Sequence, residues 1–147
     1  MKHSIHTQIE IDAPVSTVWA ALMAFDEYKN WNPFITHATL KNPASGAPSV
    51  GAILDIKIKR QGKNEQPYQV EILEIEPLKK FRWLGHFLIT GLCDGDHFFE
   101  LQPIGDNKTL LIHRENFSGL FVPFVLKNFD ANFTALNNAL KQYIEKT

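Results

Sequence analysis

"DGDHFFELQPIGDNKTLLIHRENFSG" (residues 94–119) reads as two strands joined by the tight turn "GDN". So short a connection makes the pair antiparallel. If Gln102 faces Leu110, then His97 faces Glu115 in the same register. Alternation places Cys93, His97, Phe99, Leu101, Leu111, His113, Glu115 and Phe117 on one face. The other face carries Asp94, Asp96, Glu100, Gln102, Arg114 and Asn116, interrupted by Phe98, Leu110 and Ile112. The charge count predicts that the second face is wet. His97, His113 and Glu115 are then polar groups turned toward the interior.

The same period of two recurs along the rest of the chain. "SIHTQIEI" (4–11), "ITHATL" (35–40), "AILDIKIKR" (52–60), "YQVEILEIE" (68–76) and "FRWLGHFL" (81–88) all read as strands. Between the first two lies "DAPVSTVWAALMAF", with Pro14 in the first turn of a helix and Val15, Val18, Trp19 and Leu22 at helical spacing. "DEYKNWNPF" is a short second helix, with Asp26 as its expected N-cap and Pro33 stopping it. "NPASGAPSVG" (42–51) is a turn region. At the far end, Phe129, Phe133, Leu136, Leu140 and Tyr143 form an apolar stripe, with Asn137 and Lys141 assigned off it. With Pro123 in its first turn this helix runs to roughly 20–24 residues, enough to cross a sheet. The expected class is α+β. A curved antiparallel sheet of about six to seven strands wraps a long C-terminal helix, with two short helices after the first strand. A sheet gripping a helix leaves an apolar gap suited to small ligands.

The 147 residues suit one domain, residues 1–147, with no repeat or linker. Net charge is −1, so no electrostatic footprint for nucleic acid is present. The lone Cys93 excludes an intrachain disulfide and fits a reducing compartment. No apolar run has the length of a leader or a membrane span, so no stable insertion and a cytoplasmic location are expected. Aromatics make up 12%, eleven of them Phe, which is bulk for a core or for walls around an apolar space.

Ala13-Pro14 and Val18-Trp19 of "APVSTVW", with Trp31 and Pro33 of "WNPF", resemble the START-related superfamily, also called SRPBCC or polyketide cyclase/dehydrase-like. "DGDHFFELQP" and "HRENFSGLFVP" are similar to a bacterial subgroup of it. The resemblance covers nearly the whole chain. It implies a helix-grip fold with a pocket between sheet and C-terminal helix. It does not single out an activity, because the superfamily spans lipid carriers, hormone receptors, cyclases, co-chaperones and oxygenase subunits.

His97 and Glu115, with His113, admit three readings. They orient a ligand, they satisfy each other, or they move protons, the carboxylate raising the imidazole toward neutrality. Turnover needs a further group, and none is evident. Two His and a carboxylate also suggest a metal, but no HExxH, CxxC or HxH accompanies them, so neither metal nor cofactor is expected. Cys93 reads as a core thiol, and His3, His6, His37 and His86 as surface residues. Trp31 and Phe34 either plug the end of the core or gate a pocket mouth. Trp83, sharing parity with Phe81 and Phe87, is expected in a pocket wall with Phe99, Phe117, Phe129 and Phe133. "GLFVPF" (119–124) packs on the fold, forms a dimer contact or touches a membrane during lipid exchange. The leading expectation is a monomer or weak homodimer binding a small, mostly apolar molecule, lipid-like or polyketide-like. The alternatives are a cyclase- or dehydratase-type enzyme and a co-chaperone-type interaction module.

Overall fold

The structure is a computed structural model and describes residues 2–41, 47–86, 93–120, 122 and 129–146. The turn segment 42–46, Phe87, the helix start at Pro123, and Phe121 and Phe124 of the apolar loop lie outside these residues. Strand β1 (Lys2–Ile11) leads into helix α1 (Val15–Met23), a 3-10 turn (Phe25–Glu27) and helix α2 (Tyr28–Trp31). Strands β2 (Ile35–Leu40), β3 (Ile53–Ile58), β4 (Gln66–Glu76), β5 (Lys80–His86), β6 (Asp94–Gly105) and β7 (Lys108–Ser118) follow. Helix α3 (Phe129–Glu145) comes last.

The strands form one seven-stranded sheet in the order β1-β7-β6-β5-β4-β3-β2, every neighbour antiparallel. Hairpins build β2 to β7 in sequence, and the two short helices carry the chain from β1 at one edge to β2 at the other. This is the helix-grip arrangement.

The local signals operate with small shifts. Pro14 is the N-cap of α1 rather than its first helical residue; its carbonyl accepts from Thr17 N (3.0 Å) and Val18 N (3.2 Å). Asp26 does not cap α2, because a 3-10 turn absorbs it and Glu27 holds that position. Asn32 ends α2 in an extended conformation, as a residue before proline must, and its Oδ1 accepts from Phe34 N (3.0 Å) and Ile35 N (2.8 Å). That turn aims the chain into β2.

The core lies between the sheet and α3. Ile5 and Ile11 of β1, and Leu54, Ile56 and Ile58 of β3, are buried as alternation requires. On α3 the buried set is Phe129, Asn132, Phe133, Leu136, Asn137, Leu140 and Ile144. Tyr143 is half-buried and stacks on Trp31 at 5.8 Å. Asn137 therefore belongs to the stripe: it lies one helical turn from both Phe133 and Leu140. Lys141 and Glu145 tie the end of α3 to β1, through Lys141 Nζ to Glu10 O and Asp12 N to Glu145 Oε2, both 2.8 Å.

The outer face of the β6–β7 hairpin is less wet than its charge count implies, because Phe98 is buried there. It lies in register between Arg82 and Arg114. Their guanidinium carbons sit 5.3 and 4.7 Å from the ring centroid, and Lys80 Nζ sits 5.1 Å away. Asp96 holds Arg82 through paired bonds of 2.7 and 2.8 Å, and Glu100 holds Arg114 at 2.6 Å. Cation stems cover an aromatic ring while their heads remain paired, so charged neighbours bury it.

Candidate functional site

The register of the sheet brings the inward residues into two rows. The first runs Ile72, Trp83, His97, Glu115, Ile5 across β4, β5, β6, β7 and β1. The second runs Ile75, Phe81, Phe99, His113, Thr7 across the same strands. His97 is thus opposite Glu115, as the hairpin register predicts, and all three polar residues are turned inward and buried: His97 2% exposed, His113 0% and Glu115 3%. Phe133 of α3 closes over the two imidazoles.

Aromatic rings hold both imidazoles. Trp83 stacks on His97 with centroids 4.2 Å apart and planes 10° apart. His113 lies between Phe99 (4.5 Å, 28°) and Phe133 (4.1 Å, 3°). Phe129 packs on Phe117 at 5.6 Å and Phe34 on Phe133 at 5.6 Å, so the expected wall residues meet around one centre. Trp31 stands apart from it, against Tyr28 and Tyr143.

The hydrogen bonding departs from the expected His–Glu pair. His97 Nε2 bonds His113 Nε2 at 2.7 Å. His113 Nδ1 bonds Asn137 Oδ1, Asn137 Nδ2 donates to Thr7 Oγ1, and Thr7 Oγ1 donates to the carbonyl of His113, each at 2.8 Å. His97 Nδ1 and Glu115 Oε2 are buried with no hydrogen-bond partner among the described residues. The carboxylate therefore does not orient the imidazole. The charge states are also reversed. Burial, with His113 adding to it, holds His97 well below the usual histidine range. Burial likewise pushes His113 down to about 3, against a smaller upward pull from Asn137. Burial, then the Asp96 charge, holds Glu115 well above the usual carboxylate range. Burial thus holds both imidazoles uncharged and shifts Glu115 toward its protonated form. Cys93 is buried and pushed up to about 11 by burial, then Glu115 and Asp94, so it holds a thiol rather than a nucleophilic thiolate.

Asn137 and Thr7 complete the network; alternation puts Thr7 on the face of Ile5, Ile9 and Ile11, whereas Asn137 is expected off the stripe although its position carries a signal. A polar side chain one helical turn from Phe133 and Leu140 falls on the apolar stripe, and Thr7 alternates with Ile5 and Ile9. Replacing Asn137 by Leu leaves the His113 ring donor buried and unpaired. The expected loss is about 1–3 kcal/mol of unfolding free energy, read from urea denaturation.

Clefts open elsewhere on the surface. One of about 590 Å³ lies between Pro33 and Thr36, Lys59 to Gln61 of the turn after β3, and Ala131, Asn132 and Ala135 of α3. Asn132 accepts from Gln61 N at 3.2 Å, while its buried Nδ2 has no partner among the described residues. Another, of about 470 Å³, includes His37, Asp55 and Lys57 and lies on the far face of the sheet from the cluster.

Residues 2–145 match the profile of the family described as polyketide cyclase / dehydrase and lipid transport, and the chain belongs to that family. The abscisic acid receptor PYL7 of Arabidopsis thaliana is 25% identical over 119 residues, 81% of this chain and 49% of the receptor. The chain thus spans about half the length of that curated relative. Among solved structures, the Zhui aromatase/cyclase of a Streptomyces species superposes with a TM-score of 0.77 at 11% identity, covering 99% of this chain and 95% of that one. A START superfamily protein from Mycobacterium smegmatis gives 0.77 at 21% identity, with 98% of both chains covered. At such identities the likeness is one of fold.

Proposed function

We propose that this member of the polyketide cyclase / dehydrase and lipid-transport family binds a small, mostly apolar molecule, lipid-like or polyketide-like, between the sheet and α3. The observation that carries this reading is the pair of buried polar atoms, His97 Nδ1 and Glu115 Oε2, with no partner among the described residues in an otherwise aromatic setting. Burying a polar group unpaired is unfavourable, and a bound molecule that pairs with it removes that penalty. Trp83, Phe99, Phe117, Phe129 and Phe133 form the walls, and His97, His113 and Glu115 the polar end. The cleft beside Pro33 is the proposed way in, and Trp31 stacks on Tyr143 of α3 beside it. The relative named as a receptor for a small molecule supports a binding role.

The family description also admits a cyclase or dehydratase. An imidazole held well below neutrality is a weak base, which disfavours His97 as a proton acceptor in such a reaction. Recognition needs only a fixed donor and acceptor, so binding is the better reading. Native mass spectrometry of freshly purified protein, with titration of the neutral dye N-phenyl-1-naphthylamine, tests it. Mass added by a bound molecule, or saturable dye fluorescence lost on Phe133→Trp, is expected. Bare polypeptide mass together with no saturable dye binding would overturn the proposal.

A further inference from the structure

The direction of each hydrogen bond in the cluster follows from which atoms can only give and which can only receive. The carbonyl of His113 only accepts, so the single hydroxyl proton of Thr7 is spent on it at 2.8 Å. Thr7 Oγ1 is then an acceptor, and the Asn137 atom facing it at 2.8 Å must be the amide nitrogen. That leaves Asn137 Oδ1, which only accepts, facing His113 Nδ1 at 2.8 Å, so this nitrogen carries the ring proton. With its one proton there, a neutral His113 has a bare Nε2. The 2.7 Å contact between the two Nε2 atoms therefore needs the proton of His97. A neutral His97 has only one proton, and it is used. Its Nδ1 is left as a bare acceptor, the atom that has no partner among the described residues. Thr7, two strands away, has set the tautomer of His97 through Asn137 and His113.

Across the ladder stands Glu115, directly opposite His97 and 3% exposed. A buried carboxyl without a countercharge keeps its proton and can donate it in a hydrogen bond. No such countercharge is in place among the described residues: Arg82 and Arg114 lie on the outer face, committed to Asp96 and Glu100. Side chains directly opposite in such a ladder are about 5 Å apart at Cβ, so one small group can reach both.

Resting on the binding role proposed above, we infer that the ligand presents a neutral hydroxyl, as an alcohol, phenol or enol, that donates to Nδ1 of His97 and accepts from the Glu115 carboxyl. A carboxylate offers no proton to His97 and brings a charge into an apolar site. An ether offers no proton either. Both are discriminated against, because they leave the imidazole nitrogen unpaired.

Three probes of nearly the same shape decide the matter: 2-naphthol, 2-methoxynaphthalene and 2-naphthoate, each titrated by calorimetry. 2-Naphthol is expected to bind about tenfold or more tightly than the other two, the scale on which one buried hydrogen bond discriminates. His97→Phe should remove that preference. Glu115→Gln, which still offers a donor, should retain the preference, and Glu115→Leu should reduce it; circular dichroism confirms that each variant is folded. Equal binding of naphthol and ether, tighter binding of naphthoate, or an undiminished preference in folded His97→Phe would overturn the inference and leave the binding role standing. If none of the three binds, the inference falls, and native mass spectrometry with the neutral dye decides the binding role separately.

Discussion

Acidification from pH 7 to 5 is expected to remove about 2 kcal/mol of unfolding free energy through His113 alone, with His97 adding to the loss. In the unfolded chain a histidine takes up its proton near pH 6.5, whereas folded His113 resists until about 3. Between those values the unfolded state binds more protons. Stability is therefore complete above pH 6.5 and falls as pH drops, by about 1.4 kcal/mol for each unit per histidine. Glu115 works in the opposite sense. Its folded carboxyl holds a proton that the unfolded chain has lost above about pH 4.3, so its contribution is full in acid and fades as pH rises. The measurement is best made on Glu115→Gln, which removes the opposing slope. Urea midpoints at pH 7, 6 and 5 should fall more steeply there than in the parent protein. Equal slopes would show that Glu115 ionises normally in the fold, and flat profiles in both would show the same of the imidazoles.

Phe133→Ala is expected to be the most damaging single truncation, at about 3–5 kcal/mol. At the usual entropy of a domain of this size, that lowers Tm by roughly 10 °C. Phe133 is fully buried, lies flat on His113 at 4.1 Å, meets His97 edge-on at 5.9 Å and packs against Phe34 at 5.6 Å. Its removal opens space on three sides and takes the cover from two uncharged imidazoles. Loss of the ring should also ease water toward them, so Phe133→Ala should shed part of the acid sensitivity described above. Thermal unfolding by circular dichroism at pH 7 and pH 5 reads both effects. A loss under about 1 kcal/mol would mean that α3 does not close over the cluster.

Much of this was legible in the residues. Strict alternation in 94–119, with one short turn, left a single register that kept His97, Phe99, Leu111, His113 and Phe117 together, and the sheet has that register. The strand edges and the two short helices follow from Pro14, Pro33 and the alternating runs. Asp26 and Asn137 were misplaced for related reasons. A cap depends on where the preceding turn ends, and here a 3-10 turn intervened. A polar residue on a helix is assigned to solvent unless its position on the wheel outweighs its type. Phe98 shows the reverse: an apolar side chain on a charged face, covered by the very cations that made the face look wet.

The periodicities follow from the residues alone, and with them the strands, the covering helix and the face on which His97, His113 and Glu115 lie. These depend on local steric repeats and on the separation of apolar from polar residues, which any stretch of chain expresses alone. What the three residues do to one another depends instead on the packed fold. His97 turned to His113 rather than to Glu115 because Asn137 and Thr7, from α3 and β1, supply a donor and acceptor chain that ends there. Burial then held both imidazoles uncharged and shifted Glu115 toward its protonated form. Charge state and hydrogen-bond direction belong to the assembled surroundings, and residues from three distant parts of the chain assemble them.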